Sequence, residues 1–237
     1  MKARYLLALA ALGSVATSAN AANLITNGSF ETGDFTGWTL DAVPGGGTLP
    51  VVIPYNSSSG YPGGAFGEPI PPSNVASLSP DPVGNYTAYF SSDTANPHSL
   101  TQTVNLMGGV TYDIGFDYYA PLNGFNNPND ATLQFLINGA PVGSTLTVGS
   151  GTGINPQTWY NYNTQFVSGP GGPQDYTFEF RGLGVTAADF AIDRVYASAA
   201  VPEPGTWLLM LLGFGLVGGA VRASKKRETG PRVRYAF

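Results

Sequence analysis

The chain reads as an all-β protein, a jelly-roll β-sandwich, with a segment of a different kind at each end. Three observations predict this. Between residues 22 and 201, no window of about eleven residues or more keeps a helical period. Short alternating runs bounded by Gly, Pro and Asn recur there instead. The chain of 237 residues carries 32 Gly and 19 Pro, a supply of turn formers that suits many short strands.

The elements follow from local pattern. In Thr111-Tyr112-Asp113-Ile114-Gly115-Phe116-Asp117-Tyr118 the even positions are apolar and the odd ones are small, polar or acidic, which predicts a half-buried strand. Residues 132–137, then Asn138-Gly139, then 140–143 predict a hairpin. Asn-Gly tolerates the positive φ that a type I′ turn demands. Asp175 to Arg181 alternates again, with Tyr176, Phe178 and Phe180 expected inward. Asp189 to Tyr196 is expected to be the last strand. Further strands are expected at 24–26, 38–43, 49–53, 75–79, 86–91, 99–105 and 158–167, about ten in all, enough for two packed sheets. Tyr55 to Pro72 and Asn123 to Asp130 have no strand pattern and are expected to be long loops.

Composition narrows the functions. There is no Cys, so disulfides, thiolate nucleophiles and Cys-type zinc sites are excluded. Between 22 and 201 the basic residues are Arg181 and Arg194 alone, against thirteen acidic ones, a net charge of 2 − 13 = −11. So acidic a balance argues against nucleic acid as a partner, because there is no basic footprint for its phosphates. The acidic balance suits cations and neutral glycans.

The ends carry sorting information. Lys2 and Arg4, an apolar run Tyr5–Val15 and Ala19-Asn20-Ala21 read as a signal peptide over residues 1–21, cleaved after Ala21. At the other end, residues 199–237 contain Pro202-Glu203-Pro204, Trp207, an apolar Gly-rich run to Val221, and the basic Arg222, Lys225, Lys226 and Arg227. A helix over 206–223 measures about 27 Å at ~1.5 Å per residue, which suits a thin bilayer. The basic end would stay in the cytoplasm and the Pro-Glu-Pro motif outside. This segment closely resembles the PEP-CTERM sorting signal of Gram-negative bacteria. The resemblance implies an exported protein, held transiently in the membrane by a single helix. An exosortase-type membrane protease then cleaves near the motif. The plainer alternative is a single-span anchor.

The domain between them, 22–198, resembles galactose-binding-like carbohydrate modules. The residues that carry the resemblance are Asn23-Leu24-Ile25-Thr26-Asn27-Gly28-Ser29-Phe30-Glu31 with Gly37-Trp38, then Thr101-Gln102-Thr103-Val104, Gly109-Val110-Thr111-Tyr112, and Phe190-Ala191-Ile192-Asp193-Arg194-Val195. Trp38 is expected in the core. In several such modules a structural calcium joins the first and last strands. The resemblance places its ligands here at Glu31 and Asp193. Hard carboxylate and carbonyl oxygens suit that ion. The family's second Asp is replaced by Arg194, which could instead pair with Glu31 or Asp193.

Sugar binding needs aromatic platforms beside polar acceptors. The candidates are Tyr118, Tyr119, Phe125, Trp159, Tyr160 and Tyr162. The densest cluster is Trp159-Tyr160-Asn161-Tyr162-Asn163. With Trp159 inward, Tyr160 and Tyr162 would face outward. Ordinary strand packing is the competing reading for each.

Catalysis finds little support. Gly-x-Ser-x-Gly does not occur. The single His, His98, is expected on a solvated turn. Asp113 and Asp117 lie about 13 Å apart along one strand face at ~3.3 Å per residue, too far for a glycosidase pair. Only a cross-strand pair such as Asp117 with Glu179 would serve. The expectation is therefore a non-enzymatic exported surface or biofilm-matrix protein. Its sandwich either binds extracellular polysaccharide or is purely structural or adhesive; a hydrolase comes third. Outward aromatics on one concave face would favour glycan binding. Aromatics in the core with flat polar surfaces would favour the structural role.

Overall fold

A computed structural model describes residues 21–41, 49–91, 98–122, 132–147, 154–182, 189–200 and a helix at 204–225, whose side chains are described at 210–219 and 221–222. The expected signal peptide, Phe125, Pro202 and Glu203 lie outside the described residues. Residues 21–200 form one compact unit, and the helix belongs to a second.

The first unit is a two-sheet sandwich. One sheet contains β1 (Thr39–Asp41), β4 (His98–Leu106), β10 (Gln174–Gly182), β6 (Thr132–Ile137) and β7 (Ala140–Pro141) in that order, with β8 (Leu146–Thr147) also paired to β6. The other runs β2 (Val51–Pro54), β3 (Tyr86–Phe90), β11 (Phe190–Ala199), β5 (Thr111–Tyr119) and β9 (Trp159–Val167). All pairings among these strands are antiparallel.

Period-2 alternation built the core between the sheets. Tyr112, Ile114, Phe116 and Tyr118 of β5 meet Leu133, Phe135 and Ile137 of β6 and Tyr176, Phe178 and Phe180 of β10. Phe116 sits edge-on to Phe180 with ring centroids 4.8 Å apart. Such edge-to-face pairs add about 0.5–1.5 kcal/mol beyond their area. The expected hairpin forms, with φ of 50° at Asn138 and 74° at Gly139.

Three expectations change. Residues 24–26 are not a strand: a single backbone bond, Leu24 N–H to Ala197 O at 2.8 Å, joins them to β11, and side-chain amides make the other contacts. Gln102 accepts the Thr26 N–H and donates to its carbonyl. Asn23 accepts the Ala197 N–H and donates to Val195 O. Residues 75–79 also lack a ladder; Arg194 donates to Val75 O, and Asn161 donates to the Ser77 hydroxyl. His98 is not on a solvated turn. It opens β4 opposite Gly182 and is buried.

The opening motif folds onto itself. Asn27, at φ 51°, donates to the Thr32 hydroxyl and to the carbonyls of Asp34 and Thr36. Trp38 is buried as expected and donates its indole N–H to Asn27 O.

The helix α1 spans Pro204–Lys225. Proline suits the first helical position, where no N–H is needed. Among the described residues, no helix is long and apolar enough to cross a membrane. Of the expected span at 206–223, the side chains are described at 210–219 and 221–222. Those described from Met210 to Gly219, with Val221 and Arg222, are exposed.

Candidate functional site

The chemistry of this domain collects on the outer face of the five-stranded sheet, the face turned away from the core. β5 places Asp117 and Tyr119 there, and β9 contributes Trp159 and Asn161 through the pairs Tyr119↔Trp159 and Asp117↔Asn161. β11 adds Ala191 and Asp193, and β3 adds Tyr89.

This face is covered by the chain itself. Residues 55–77 cross it and form a second apolar cluster: Ala65 and Ile70 pack with Ile53, Tyr89, Tyr119, Trp159 and Ala191. Four carboxylates secure the cover. Asp193 accepts the Tyr55 hydroxyl at 2.6 Å. Asp189 accepts the Tyr89 hydroxyl at 2.7 Å, and that oxygen accepts the Phe66 N–H at 3.0 Å. Glu68, in the cover, accepts from Gln157 at 2.6 Å, from the Leu122 N–H at 3.0 Å and from Tyr119 at 3.3 Å. Asp117 accepts the Ser73 hydroxyl at 2.5 Å.

Arg194 is the hub of this network. Its Nε donates to Asp117 at 2.6 Å, and its Nη2 reaches Asp117, Ser73 and Val75 O. Asn161 donates to the other oxygen of Asp117 at 2.9 Å. Strict alternation from Ile192 would send Arg194 into the core. A register shift between Asp193 and Tyr196, with Arg194 at φ 47°, turns it out beside Asp193 instead. Such bulges re-aim side chains. The expected partners of Arg194, Glu31 or Asp193, are thus replaced by Asp117. Only the Arg194 backbone N–H goes to Asp193.

Burial dominates the titration here. It pushes Asp193 up from 3.8 to about 8; the neighbouring Asp117 charge adds to this, while the Tyr55 hydroxyl, the Arg194 N–H and the Arg194 charge oppose it. Burial, and then the adjacent carboxylates, also push Tyr55 and Tyr89 above the ordinary phenol range.

The calcium expectation does not fit these residues. Glu31 accepts the N–H groups of Asn85 and Tyr86 at 2.8 and 3.0 Å and the Asn85 amide at 3.3 Å. A Cβ on Gly84 would stand 1.9 Å from the Glu31 carboxyl carbon, so glycine is what lets the carboxylate lie against that backbone. Asp193 likewise faces O–H and N–H donors. Among the described residues, no three His, Cys, Asp or Glu side chains group to hold a metal. Calcium needs several converging oxygens, and these two carboxylates each accept from donors instead.

The glycan candidates divide in two. Trp159 and Tyr119 are 3% and 2% exposed, with Trp159 donating to Pro71 O at 2.8 Å, edge-on to Tyr55 and tilted against Tyr119. Tyr160 and Tyr162 do not face outward; they point between the sheets and pack against the main core. The expected sidedness of β9 is reversed, because the cover gives the outer face a second apolar layer for the Trp. Tyr160 and Tyr162 are nevertheless half-buried. Tyr160 stacks on Tyr118 at 5.5 Å and accepts the Asn155 N–H, and Tyr162 donates to Val142 O.

The hydrolase pair does not form. Asp117 lies in the five-stranded sheet with Arg194, whereas Glu179 lies in the other sheet, paired with Arg181. Sequence reasoning missed the roles of Glu68, Ser73, Asp189 and the Asp117–Arg194 pair. The available signal was Arg194 itself, one of two cations in an acidic domain and placed in an apolar strand.

Residues 200–227 match the PEP-CTERM protein-sorting motif. The chain therefore carries the sorting segment of an exported protein. No curated protein matches the chain. Its two-sheet fold is similar to those of two solved proteins. It is similar to TmCBM61, solved in complex with β-1,4-galactotriose, at 17% identity and TM-score 0.50, over 76% of this chain and all of that one. It is also similar to a cyclase from Fischerella sp. TAU, at 17% identity and TM-score 0.51, over 77% of this chain and 99% of that one. One fold thus serves a sugar binder and a cyclase, so function must be argued from the site.

Proposed function

We propose that this chain is an exported surface or biofilm-matrix protein, processed by an exosortase-type protease, whose sandwich serves as a structural or adhesive unit. One observation carries the reading. The aromatic and carboxylate side chains at the Trp159 end of the five-stranded sheet are sealed by residues 55–77, while the outer face of β4 and β10 is polar, with Thr101, Thr103, Asn105, Asp175, Thr177, Glu179 and Arg181 and, among the described residues of those strands, no aromatic. An aromatic platform must be reachable to bind a sugar. Catalysis is not part of this reading, because the face carboxylates are engaged with hydroxyl, amide and guanidinium donors. In the precursor, the helix at 206–223 holds the chain at the membrane until cleavage near Pro202-Glu203-Pro204, with Trp207 and Arg222 as further recognition points.

A second reading has its own observation. Tyr160 and Tyr162 are half-buried rings at the sandwich edge beside Tyr118, a place where extracellular polysaccharide could lie.

Calorimetric titration of residues 21–200 with the producing organism's extracellular polysaccharide separates the two. The structural reading expects no saturable heat, with calcium or with chelator. Saturable heat lost in Tyr160→Ala or Tyr162→Ala would replace it with the glycan-binding one. Processing is tested separately: Glu203→Ala should leave the precursor uncleaved in cells.

A further inference from the structure

We propose that the cover, residues 55–77, is a lid locked by a single proton on Asp193, closed while the proton is held and lifting from the sheet when it leaves. The segment is built to move as a unit. It belongs to the connection between β2 and β3, which pair with each other, and Pro54 and Tyr86 at its base are register partners. Tyr55 closes the base by donating its N–H to Asn85 O. Among the described residues, no strand ladder joins 55–77 to the sheet below. Its apolar contacts, through Ala65 and Ile70, belong to a cluster separate from the main core. A segment with its own small cluster and no ladder can open without unfolding the rest.

Charge sets the lock. Asp117 and Asp193 are cross-strand partners, and both are fully buried. One cation serves the two. Arg194 gives its guanidinium to Asp117, which also accepts the Ser73 hydroxyl and the Asn161 amide. Asp193 faces the Tyr55 hydroxyl from the lid, the Arg194 N–H on its own strand and Asp117 on β5. Thr87 of β3 and the Ser73 backbone bond to the same Tyr55 hydroxyl. The titratable and charged groups around Asp193 are thus Tyr55, Asp117 and Arg194. Ionising both carboxylates would leave a net negative charge in a space closed to solvent. Neighbouring buried carboxylates with one counter-charge avoid this by keeping a proton. Asp193 has the fewer donors and keeps it; burial pushes its pKa up to about 8.

Opening returns Asp193 to solvent, where its ordinary value is 3.8. Between these values the closed lid binds the proton more tightly than the open one. Closure is therefore strongest below about pH 4. The open-to-closed ratio then rises by up to about tenfold per pH unit and levels off near pH 8. The released proton goes to water, and the uncovered face carries Tyr89, Tyr119 and Trp159. The sealed face is thus a latent aromatic surface, shut in acid and offered as pH rises, a property beyond the structural role proposed above.

Residues 21–200 contain two tryptophans, Trp38 and Trp159, and only Trp159 lies under the lid. Acrylamide quenching of their fluorescence reads lid opening with no ligand present. The quenching constant should be roughly threefold or more higher at pH 8 than at pH 5, with the circular dichroism of the sheets unchanged. Asp193→Asn keeps an acceptor for Tyr55 but cannot ionise, so it should hold the pH 5 value throughout. Tyr55→Phe removes the lid's own contact with Asp193 and should raise the value already at pH 5. Four results would each overturn the inference: a flat wild-type profile, a rise that persists in Asp193→Asn, a rise that comes only with loss of the sheet signal, or Tyr55→Phe equal to wild type at pH 5. No reading depends on the polysaccharide titration, so the two proposals fail separately.

Discussion

The two outer faces of the sandwich are built by opposite rules. On the six-stranded sheet, polar pairs lie open to solvent: Thr103 with Thr177 at 3.2 Å, and Asn105 with Asp175 at 2.8 Å. On the five-stranded sheet, the side chains at the Trp159 end of the outer face, among them Tyr119, Asp117 and Asp193, are roofed by residues 55–77. There Asp117 and Asp193 are fully buried and Arg194 nearly so. The same kinds of polar side chain therefore carry very different energies. Exposed polar pairs contribute little. Buried charges are costly unless fully partnered, and removing one partner strands the other.

Substitutions should separate the faces by magnitude. The largest effect is expected from Asp117→Ala, which leaves the Arg194 guanidinium buried without its carboxylate. The loss should be about 3–5 kcal/mol, read by urea unfolding of residues 21–200. Trp159→Ala should follow closely, at ~3–5 kcal/mol, because the ring fills the space between sheet and cover. An effect below that of an exposed residue would show that the roof is not packed in solution. Tyr55→Phe removes the hydroxyl that Asp193 accepts and should cost about 1–3 kcal/mol.

A pH series sharpens the comparison further. The folded pKa of Asp193, about 8, lies above its ordinary 3.8, so between those values the folded chain holds the proton more tightly than the unfolded chain. The stabilisation from this group is complete below about pH 4 and is lost as pH rises toward 8. Asp193→Asn should remove that fall from the unfolding free energy measured across pH 4–8. A slope unchanged in the variant would assign it to other groups. The smallest effect is expected from Asp175→Ala on the open face, within about 0.5 kcal/mol by the same unfolding measurement.

Much of the core was legible because it follows period 2. The inward sets of β5 and β10 and the Asn138-Gly139 turn could be read directly, since each rests on neighbours along the chain. The site was less legible. Residues 55–72 read only as a loop, yet Ala65 and Ile70 within it are buried against Trp159. Alternation reveals that β9 has two sides but not which side is wetter. That depends on a segment some ninety residues earlier in sequence, and its apolar contacts outweigh exposure of the Trp. The positive φ of Arg194 is also invisible to alternation, so its partner was misread.

By itself, the sequence determined the all-β class, the strand periods, the acidic charge and the sorting motif. Each is a property of composition or of residues close along the chain. Tertiary structure alone decided which sheet face is sealed and which carboxylate holds Arg194. The physical reason is that burial and pairing are set by contacts between segments distant in sequence, and these contacts decide whether an aromatic or a carboxylate becomes a ligand contact or part of the core.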